Sequence, residues 1–436
     1  MTLHNRRNNM KFVELTDKQF EEFTTKNMYH FSQTNARYDL RNDKTNSTMY
    51  RIGLIDDNQE VVAATILTST PILKKFNYFY ATRGPILDFT NFKVVDIFFY
   101  ELDKFLKQHN ALHIRMDPYI IHNIRDHKGN ILESYADRTQ SIIEHLDKLG
   151  YEHQGFHIGY DGKRQHRFDS VLDVKGKTKE EVFNNMDKLR QRNIKKTEKN
   201  GIKIKYLSRE ELPIFREFMK DTVEMKSFED RGDDYYYDSY DYYGDRVKVP
   251  MAYIDIDEYV AKERKEENKL DKNIAKAEKD LQTKENLTDK QKEKLENKIE
   301  NLRTQLKSHL EKIEELTAAQ EKYGNELPVS AGFFYETDYE VVYFAGGTSN
   351  EFRHYAGSYA IQWEMIKYTI DQGLDQYNFY GITGDFSEDA EDAGVIKFKE
   401  GFNAYVKEYV GDFVKPVNKL AYKAFLQLKK VKTYKV

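Results

Sequence analysis

The first half of the chain alternates apolar and polar positions in a way that predicts strands around one helix. Residues 51–87 hold β-branched and aromatic runs separated by turn residues, and such runs are typical of strands. Apolar residues recur at spacings of three and four over residues 93–108, which predicts a helix. A further strand is predicted at residues 111–116, because Asp117-Pro118 ends the apolar run there.

The second half repeats this order of elements. Residues 329–336 and 341–345 predict a hairpin, and the glycines that follow predict a turn. Residues 358–371 predict a helix and residues 376–381 a strand. We infer two copies of one α/β unit, although the same alternation also arises by chance in α/β proteins.

A long charged segment lies between the two predicted units. Residues 258–322 lack glycine and proline, and their apolar positions follow four-three-four spacing on both sides of a break at Asn286-Leu287-Thr288. This pattern predicts an arm of two antiparallel helices joined by a tight turn. Strand-like residues 247–256 and 329–335 flank the arm, so it is predicted to be inserted into a hairpin. A dimerising zipper and a plain spacer are the alternatives.

Composition excludes several classes of chemistry. The chain has no cysteine, which excludes disulfides, thiolate zinc sites, iron–sulfur clusters and a cysteine nucleophile. The formal net charge of −4 argues against a bulk binder of polyanions. Residues 1–9 are polar and unlike a secretory signal, and no apolar run is long enough to span a membrane. We therefore expect a soluble, cytoplasmic protein.

Several common site motifs are missing from the sequence. No Walker-type phosphate loop, no GxGxxG after a strand and no nucleophile elbow occur. The histidines near residues 122–127 are too poorly spaced to predict a metal site. The phosphate loop typical of acetyltransferases that use coenzyme A is also absent, which weakens a coenzyme A function without excluding it.

Residues 184–205 form the strongest basic stretch, with eight Lys and Arg against two acids. Phosphate-backbone binding is the functional interpretation, and a solvated helix face is the alternative. The candidate contacts to a tRNA in this stretch are Lys188, Arg190, Arg192, Lys195 and Lys196.

Residues 228–245 have the opposite character, with six tyrosines, seven acids and Arg231 as the one cation. Tyrosines offer hydrogen bonds and stacking surfaces to sugars and phosphates, but the same rings also suit an aromatic helix packed on a sheet. Arg231 is then either paired with an acid or available to a ligand anion.

Three further features carry candidate chemistry. Asp117 follows a predicted strand, where a carboxylate points into a cleft or merely caps a turn. Lys399 follows Phe398 and suits an oxyanion or anion, with a strand-surface lysine as the alternative. Residues 415–436 hold seven Lys and no acid, and a helix there would suit an anionic membrane surface or simple docking on the core.

Five segments together carry a resemblance to a known family. From Met10 onward the chain resembles the Fem family of tRNA-dependent aminoacyltransferases, which build the interpeptide bridge of Gram-positive peptidoglycan. The segments are Tyr80–Asp88, Arg115–Tyr119, Leu189–Lys196, Ala345–Arg353 and Glu388–Asn403.

The resemblance implies a particular α/β (α+β) fold. Two acetyltransferase-like (GNAT-like) subdomains are expected in tandem, at residues 10–170 and at residues 171–256 with 327–436. An antiparallel coiled-coil arm at residues 257–326 is expected inside the second subdomain, and residues 1–9 are an N-terminal extension.

The resemblance also implies an activity and its partners. Members of the family move an aminoacyl group, usually glycyl, from a charged tRNA to an amine of the bridge on lipid II, and the matching type adds glycines two and three. No cofactor is expected, because aminoacyl-tRNA is the co-substrate. Other Fem ligases, a second copy of the chain and a peripheral contact with the inner face of the plasma membrane are further expected partners.

Site residues follow from the resemblance position by position. Lys399 and Phe398 match a pair linked to the aminoacyl-tRNA end, and Lys399 is expected to stabilise negative charge. Asp117 matches the acid near the acceptor amine, as its ammonium holder or base. The residues expected to bind the acceptor substrate are Arg41, which replaces a lysine of the family, Arg231, Tyr235 and Tyr343.

Three other functions stay open at this point. A serine-adding relative would produce an altered bridge and resistance of the lysostaphin type. An acetyltransferase-type enzyme would be stabilised by coenzyme A and not by aminoacyl-tRNA. A non-catalytic protein that binds RNA or a partner would tolerate Lys399→Ala and Asp117→Ala without loss of function.

Overall fold

The structure is a computed structural model that describes residues 10–162, 164–226, 230–284 and 287–433. The predicted N-terminal extension lies outside the described residues, as does Asn286 in the predicted turn of the arm. The described residues form two β-sheets with helices on their faces and a two-helix arm.

The strands and helices of the described residues are as follows in chain order. The strands are β1 (Met10–Glu14), β2 (Thr48–Asp56), β3 (Val61–Ile72), β4 (Phe76–Ala81), β5 (Ile86–Leu87), β6 (Ala111–Met116), β7 (Ile121–Arg125), β8 (Ile131–Ser134), β9 (Glu152–His153), β10 (Phe168–Asp173), β11 (Lys203–Tyr206), β12 (Val247–Lys248), β13 (Pro250–Asp255), β14 (Glu326–Glu336), β15 (Glu340–Thr348), β16 (Gln376–Ile382), β17 (Tyr405–Tyr409) and β18 (Phe413–Pro416). The helices are α1 (Asp17–Thr24), α2 (Asn35–Lys44), α3 (Phe92–Gln108), α4 (Ala136–Lys148), α5 (Lys179–Asn185), α6 (Lys188–Lys199), α7 (Leu212–Lys226), α8 (Asp233–Tyr243), α9 (Ile256–Thr283), α10 (Asp289–Tyr323), α11 (Gly357–Asp371), α12 (Ala393–Glu400) and α13 (Lys419–Thr433).

The two sheets share one internal order. The first runs β1-β2-β3-β4-β6-β18-β9, and the second runs β11-β13-β14-β15-β16-β10-β17-β7-β8. In each sheet an antiparallel meander leads through one helix to a parallel neighbour, β4 to β6 through α3 and β15 to β16 through α11. Helices α1 and α2 separate β1 from β2, as α7 and α8 separate β11 from β13. The predicted duplication and the α/β class are confirmed.

Strands are exchanged between the two halves of the chain. Hairpin β7–β8 belongs to the first half of the sequence but pairs with β17 in the second sheet. Strand β18 comes from the end of the sequence and lies between β6 and β9 of the first sheet. The predicted subdomain boundaries therefore stay a prediction, since strand pairing crosses them in both directions.

The arm occupies the turn of a hairpin, as its flanking strands predict. Strands β13 and β14 pair up to Asp255 and Glu326, and α9 and α10 connect them. The equivalent connection in the first sheet is the short turn after Asp56 between β2 and β3. Buried residues Ile274, Ala277 and Ile299 form the seam of the arm. None of the described helices combines the length and the hydropathy needed to cross a bilayer.

The second sheet is covered on two faces with different helices. One face carries α6, α11 and the base of the arm, in a core that includes Ile194, Leu316 and Ile361. The other face carries α2, α7 and α8, in a core that includes Leu40 and Phe215. The predicted site residues must therefore reach one face or the other, or the edge between them.

Candidate functional site

Strands β15 and β16 separate at their carboxyl ends. Their parallel pairing stops at Val342 and Asn378, while β15 continues along β14 and β16 continues along β10. Ligand sites in α/β folds gather beyond the carboxyl ends of such strands. Helix α12 places Lys399 at this opening, where its Nζ donates to the carbonyls of Tyr380 (3.0 Å) and Gly381 (2.8 Å).

The backbone of β16 is shaped to receive this lysine. Tyr380 has a φ of 67°, in the left-handed region, and the pairing of β16 with β10 is irregular between Asn378 and Gly381, the stretch that contains Tyr380. Such a bulge redirects carbonyl groups, so two successive carbonyls meet one ammonium. Gly381 is required because a Cβ there would lie 2.7 Å from the His166 ring. Lys399 is 4% exposed and lies on a helix, so the alternative of a strand-surface lysine is wrong.

Asp117 lies immediately after β6, and its carboxylate is buried. Its Oδ1 accepts the backbone N–H of Arg83 at 2.8 Å. Its Oδ2 and the nearby Tyr80 hydroxyl have no well-formed hydrogen bond among the described residues. Burial raises the pKa of Asp117 to about 7, although Arg83 acts to lower it. A carboxyl group that titrates near neutrality suits proton transfer.

A chain of buried polar groups links Asp117 to Lys399. The guanidinium of Arg83 donates to the His166 carbonyl at 2.7 Å, and His166 Nε2 lies 2.6 Å from Asp169 Oδ1. The His166 ring also packs edge-on against Tyr380, whose carbonyl holds Lys399. Burial acts to raise the pKa of Asp169, but His166 and Arg83 hold it well below its usual range. Asp117 and Lys399 are thus separated by Arg83 and His166.

A second buried cluster lies deeper in the same sheet. Glu340 accepts hydrogen bonds from Gln376 and Asn378, and Gln376 in turn accepts one from Lys407. Burial raises the pKa of Glu340 to about 7, against the opposing effects of Gln376 and Lys407. Because Glu340 is completely buried, we assign this cluster to the stability of the sheet.

Three arginines gather around Tyr235 on the α2–α8 face. Arg231 lies over the Tyr235 ring at 5.6 Å, and Arg37 and Arg41 of α2 lie near the same tyrosine. Burial, with Arg37 and Arg231 nearby, lowers the pKa of Arg41 to about 10. None of the three guanidinium groups forms an ion pair with a carboxylate in the described part of the chain. Uncompensated cations at this density suit an anion of several charges.

Four of the acids near Arg231 in the sequence are paired with other cations. Asp230 and Asp233 bind Arg216, Asp238 binds Lys44, and Asp241 binds Arg209. Their partners come from α7, from α2 and from the loop before α7. This pairing explains why an arginine in an acidic stretch is left without a described carboxylate partner.

The two predicted substrate tyrosines lie on opposite faces of the second sheet. Tyr235 stacks on Phe344 at 5.5 Å, and Phe344 contacts Tyr380. Tyr343 precedes Phe344 on β15 and packs against Phe334 on the other face, because successive strand residues point to opposite sides. The structure therefore brings Tyr235 together with Arg41 and Arg231, and places Tyr343 on the face that also carries Phe398.

Helix α6 presents an exposed basic face beside α12. Lys188, Arg192, Lys195 and Lys196 are exposed, as a phosphate-binding surface requires. Arg190 differs from them because it is buried between the helices.

We call the packing of α6 against α12 around Arg190 the α6–α12 contact. Arg190 donates to the carbonyls of Lys397 and Phe398 and lies 3.0 Å from Asp187 Oδ2. Its guanidinium lies 5.8 Å from the centre of the Phe398 ring. Gly401 is required there, because a Cβ would lie 2.1 Å from Arg190 Nε. Sequence reasoning placed Arg190 among the tRNA contacts, but the structure uses it to fix the helix that carries Lys399.

An open groove of about 420 Å³ lies away from these residues. It is lined by aromatic rings of Tyr206, Tyr240 and Tyr368 and by Lys248. None of the predicted site residues lines it, so we do not place the chemistry there.

Four residues of the described site were missed in the sequence, namely Arg37, Arg83, His166 and Asp169. Arg37 lies one helical turn before Arg41, and this spacing of four places both on one face of α2, which was the available signal. Arg83 follows β4 in an Arg-Gly-Pro turn, and no local pattern indicates that its guanidinium turns inward.

Comparisons with known proteins bear on the whole chain. The model of the FemAB family matches residues 15–430. Proteins named aminoacyltransferase FemA from Staphylococcus aureus strains N315 and bovine RF122 / ET3-1 are each 50% identical over 424 residues, which cover 97% of this chain and 99% of each relative. A crystal structure of FemX matches with a TM-score of 0.76 at 23% identity, over 95% of this chain and 99% of that one. The last comparison indicates a shared fold.

Proposed function

The chain belongs to the FemAB family, and from that premise we propose how it works as an aminoacyltransferase. In this proposal it moves glycine from glycyl-tRNA to the terminal amine of the interpeptide bridge on lipid II. The observation that carries the proposal is the position of Lys399 at the open end of β16, where it follows Phe398, whose carbonyl accepts from Arg190 of α6, and binds the carbonyl of Tyr380, whose ring joins Tyr235 through Phe344.

Each cationic surface suits one of the two substrates. The arginines around Tyr235 suit the diphosphate of lipid II, because clustered guanidinium groups bind phosphate oxygens in pairs of hydrogen bonds. The exposed basic face of α6 suits the phosphate backbone of a tRNA. The α6–α12 contact would then transmit the position of the bound tRNA to Phe398 and Lys399.

Aminolysis of an aminoacyl ester needs three kinds of help. The ammonium of the acceptor must lose a proton, the tetrahedral oxyanion must be stabilised, and the ribose oxygen must regain a proton. We assign the first task to Asp117, whose pKa of about 7 allows it to accept a proton at neutral pH. We assign stabilisation of the oxyanion to the charge of Lys399. No cofactor takes part in this scheme, because the ester of the tRNA is already activated.

The finer features of the proposal follow the family. Glycine is the donor, and bridge positions two and three are the sites of addition. The enzyme would meet lipid II at the inner face of the plasma membrane through a peripheral contact. Other ligases of the family and a second copy of the chain are the protein partners to be tested.

A transfer assay tests the proposal directly. Radiolabelled glycyl-tRNA or seryl-tRNA is supplied with lipid II that bears zero, one or three bridge glycines. We expect label from glycyl-tRNA on the acceptor with one glycine. Label from seryl-tRNA would identify the serine-adding relative instead, and stabilisation by coenzyme A without transfer from either tRNA would favour an acetyltransferase.

The site is tested with a matched pair of lysines on α12. Lys399→Ala should lower kcat by about a thousandfold, as loss of an oxyanion-stabilising group does. Lys397→Ala removes an exposed charge two residues away and should keep nearly full activity. Equal activities of the two variants, with both proteins folded, would reject the role of Lys399.

A further inference from the structure

Helix α13 has one face docked on the first sheet. Its Tyr422 and Phe425 contact His113 of β6, with ring centres 4.8 and 5.9 Å apart. Phe425 is buried by this packing. One side of α13 therefore docks on the core, as one of the two interpretations of residues 415–436 predicts. The core does not cover the other side of the helix.

The opposite face of α13 exposes an apolar stripe. Leu420, Ala424 and Leu428 follow at intervals of four, which places them in one row along the helix. Leu420 is 85% exposed and Leu428 is 55% exposed. Leucines this exposed cost free energy in water unless another surface covers them.

Basic residues surround the stripe. Lys419 and Lys423 lie one residue before Leu420 and Ala424, so they flank the stripe along one side. Residues 415–436 contain seven Lys and no acid, so all 73 Asp and Glu of the chain lie outside this segment. An exposed helix with leucines on one strip and lysines beside it is typical of helices that lie in the plane of a membrane interface.

We propose that α13 docks the protein on an anionic lipid bilayer. Leu420 and Leu428 enter the boundary between headgroups and acyl chains, and the flanking lysines contact anionic headgroups. A polyanion such as tRNA explains the lysines but not the leucines, because phosphate binding gains nothing from apolar side chains. The proposal adds the binding surface to the peripheral membrane contact of the proposed function, and it concerns bulk lipid rather than lipid II.

Sedimentation with vesicles tests the proposal on the full chain, without lipid II or tRNA. We expect binding to vesicles of equal phosphatidylglycerol and phosphatidylcholine, little binding to phosphatidylcholine alone, and weaker binding at high salt. The double variant Leu420→Ser/Leu428→Ser should bind at least about tenfold more weakly. The double variant Lys419→Gln/Lys423→Gln should lose about fivefold per lysine.

The matched control is Leu310→Ser, which alters a leucine that is 43% exposed on α10. It should leave vesicle binding unchanged, and thermal melting should show that all variants are folded. Equal binding of the control and the α13 variants would overturn the proposal. So would loss of self-association, or of tRNA binding, in the leucine variant with vesicle binding intact, since the stripe would then serve a second copy or an RNA. Because the assay contains neither substrate, its failure would leave the transfer reaction unaffected.

Discussion

Asp117 and Glu340 are buried carboxyl groups with the same raised pKa, yet their surroundings differ. Asp117 keeps one oxygen without a well-formed hydrogen bond, whereas Glu340 has hydrogen-bond donors at both oxygens. A buried acceptor whose hydrogen bond is poorly formed is costly, and such a cost is retained at sites of chemistry more often than in a core. The difference assigns proton transfer to Asp117 and a structural role to Glu340.

The pH dependence of transfer tests the assignment of Asp117. As a base it must be ionised, so kcat/KM should rise with pH and level off above about 7. Asp117→Asn should lower the plateau by about 10²- to 10⁴-fold and remove the inflection. The exposed Asp57→Asn is the control for the substitution. If Asp117→Asn keeps the inflection of the pH profile, the inflection belongs to the acceptor amine.

The stability of the protein at different pH values tests Glu340. The pKa of Glu340 is higher in the folded protein than in the unfolded chain, where it is about 4.5. The contribution of Glu340 to the free energy of unfolding is therefore fully present below pH 4.5 and is lost as the pH rises to about 7. The lost stability amounts to about 3 kcal/mol. The stability of Glu340→Gln relative to the natural protein should therefore be greater at pH 8 than at pH 5, as measured by thermal melting. The exposed Glu314→Gln should show no such change.

The residue types of the site were readable from the sequence, but their environments were not. Lys399 and Asp117 lie within recognisable segments, and the structure links them through Arg83 and His166. Arg190 lies in a run of exposed cations, and only the approach of α12 shows that it is buried. Contacts between residues 190 and 397 depend on long-range packing, which local periodicity does not encode.

Among the elements, α6 and α12 form the junction on which the proposed reaction depends. Arg190 caps the carboxyl end of α12, where a cation is favoured by the helix dipole and by the free carbonyls. The backbone N–H of Asp187 also donates to the Gly401 carbonyl at 2.9 Å. The start of the basic helix and the end of the lysine helix are therefore held as one unit.

Two arginines on α6 separate this structural role from tRNA binding. Arg190→Gln should lower the free energy of unfolding by about 2–4 kcal/mol, because it leaves buried carbonyls and Asp187 without their partner. Arg192→Gln should keep stability and reduce the salt dependence of tRNA binding by about one phosphate contact. Thermal melting and binding at several salt concentrations measure both. If Arg190→Gln instead weakened tRNA binding and Arg192→Gln instead lowered stability, Arg190 would be a tRNA contact.

Over the whole molecule, the arm stands out as an insertion whose base packs in the core and whose outer part has its described contacts within itself. Its strands β13 and β14 are already paired at the base, where Tyr259 and Leu316 join the core. The contacts described for residues 269–305 lie within the arm itself. The heptad pattern predicted this element well, because a coiled-coil seam is a local signal.

Shortening the arm tests its independence. Replacing residues 269–305 by a short glycine linker should shift the melting temperature of the body by only about 3 °C or less, because the described contacts of these residues lie within the arm, and 1 kcal/mol shifts the melting temperature of a large domain by about 2–4 °C. Leu316→Ala at the base is the comparison, and it should cost about 2–5 kcal/mol. A large loss of stability in the shortened protein would show that the outer arm supports the body.

The duplication was readable from the order of elements, but the exchange of strands was not. Pairing of β18 with β6 joins residues about three hundred positions apart, and nothing in the pattern of either strand specifies the partner. Apolar residues of different strands can pair equally well, so the sequence alone does not predict which strands are neighbours.

Placement of β18 between β6 and β9 has a consequence for protein synthesis. The first sheet cannot close until residues 413–416 have been translated, although most of its strands emerge early. A nascent chain normally folds its N-terminal unit first. Here the first unit must wait with an open strand edge at β6, and a chain released before β17 begins at residue 405 lacks a strand in each sheet. Synthesis of β17 and then β18 thus becomes the event that commits the two sheets to their final form.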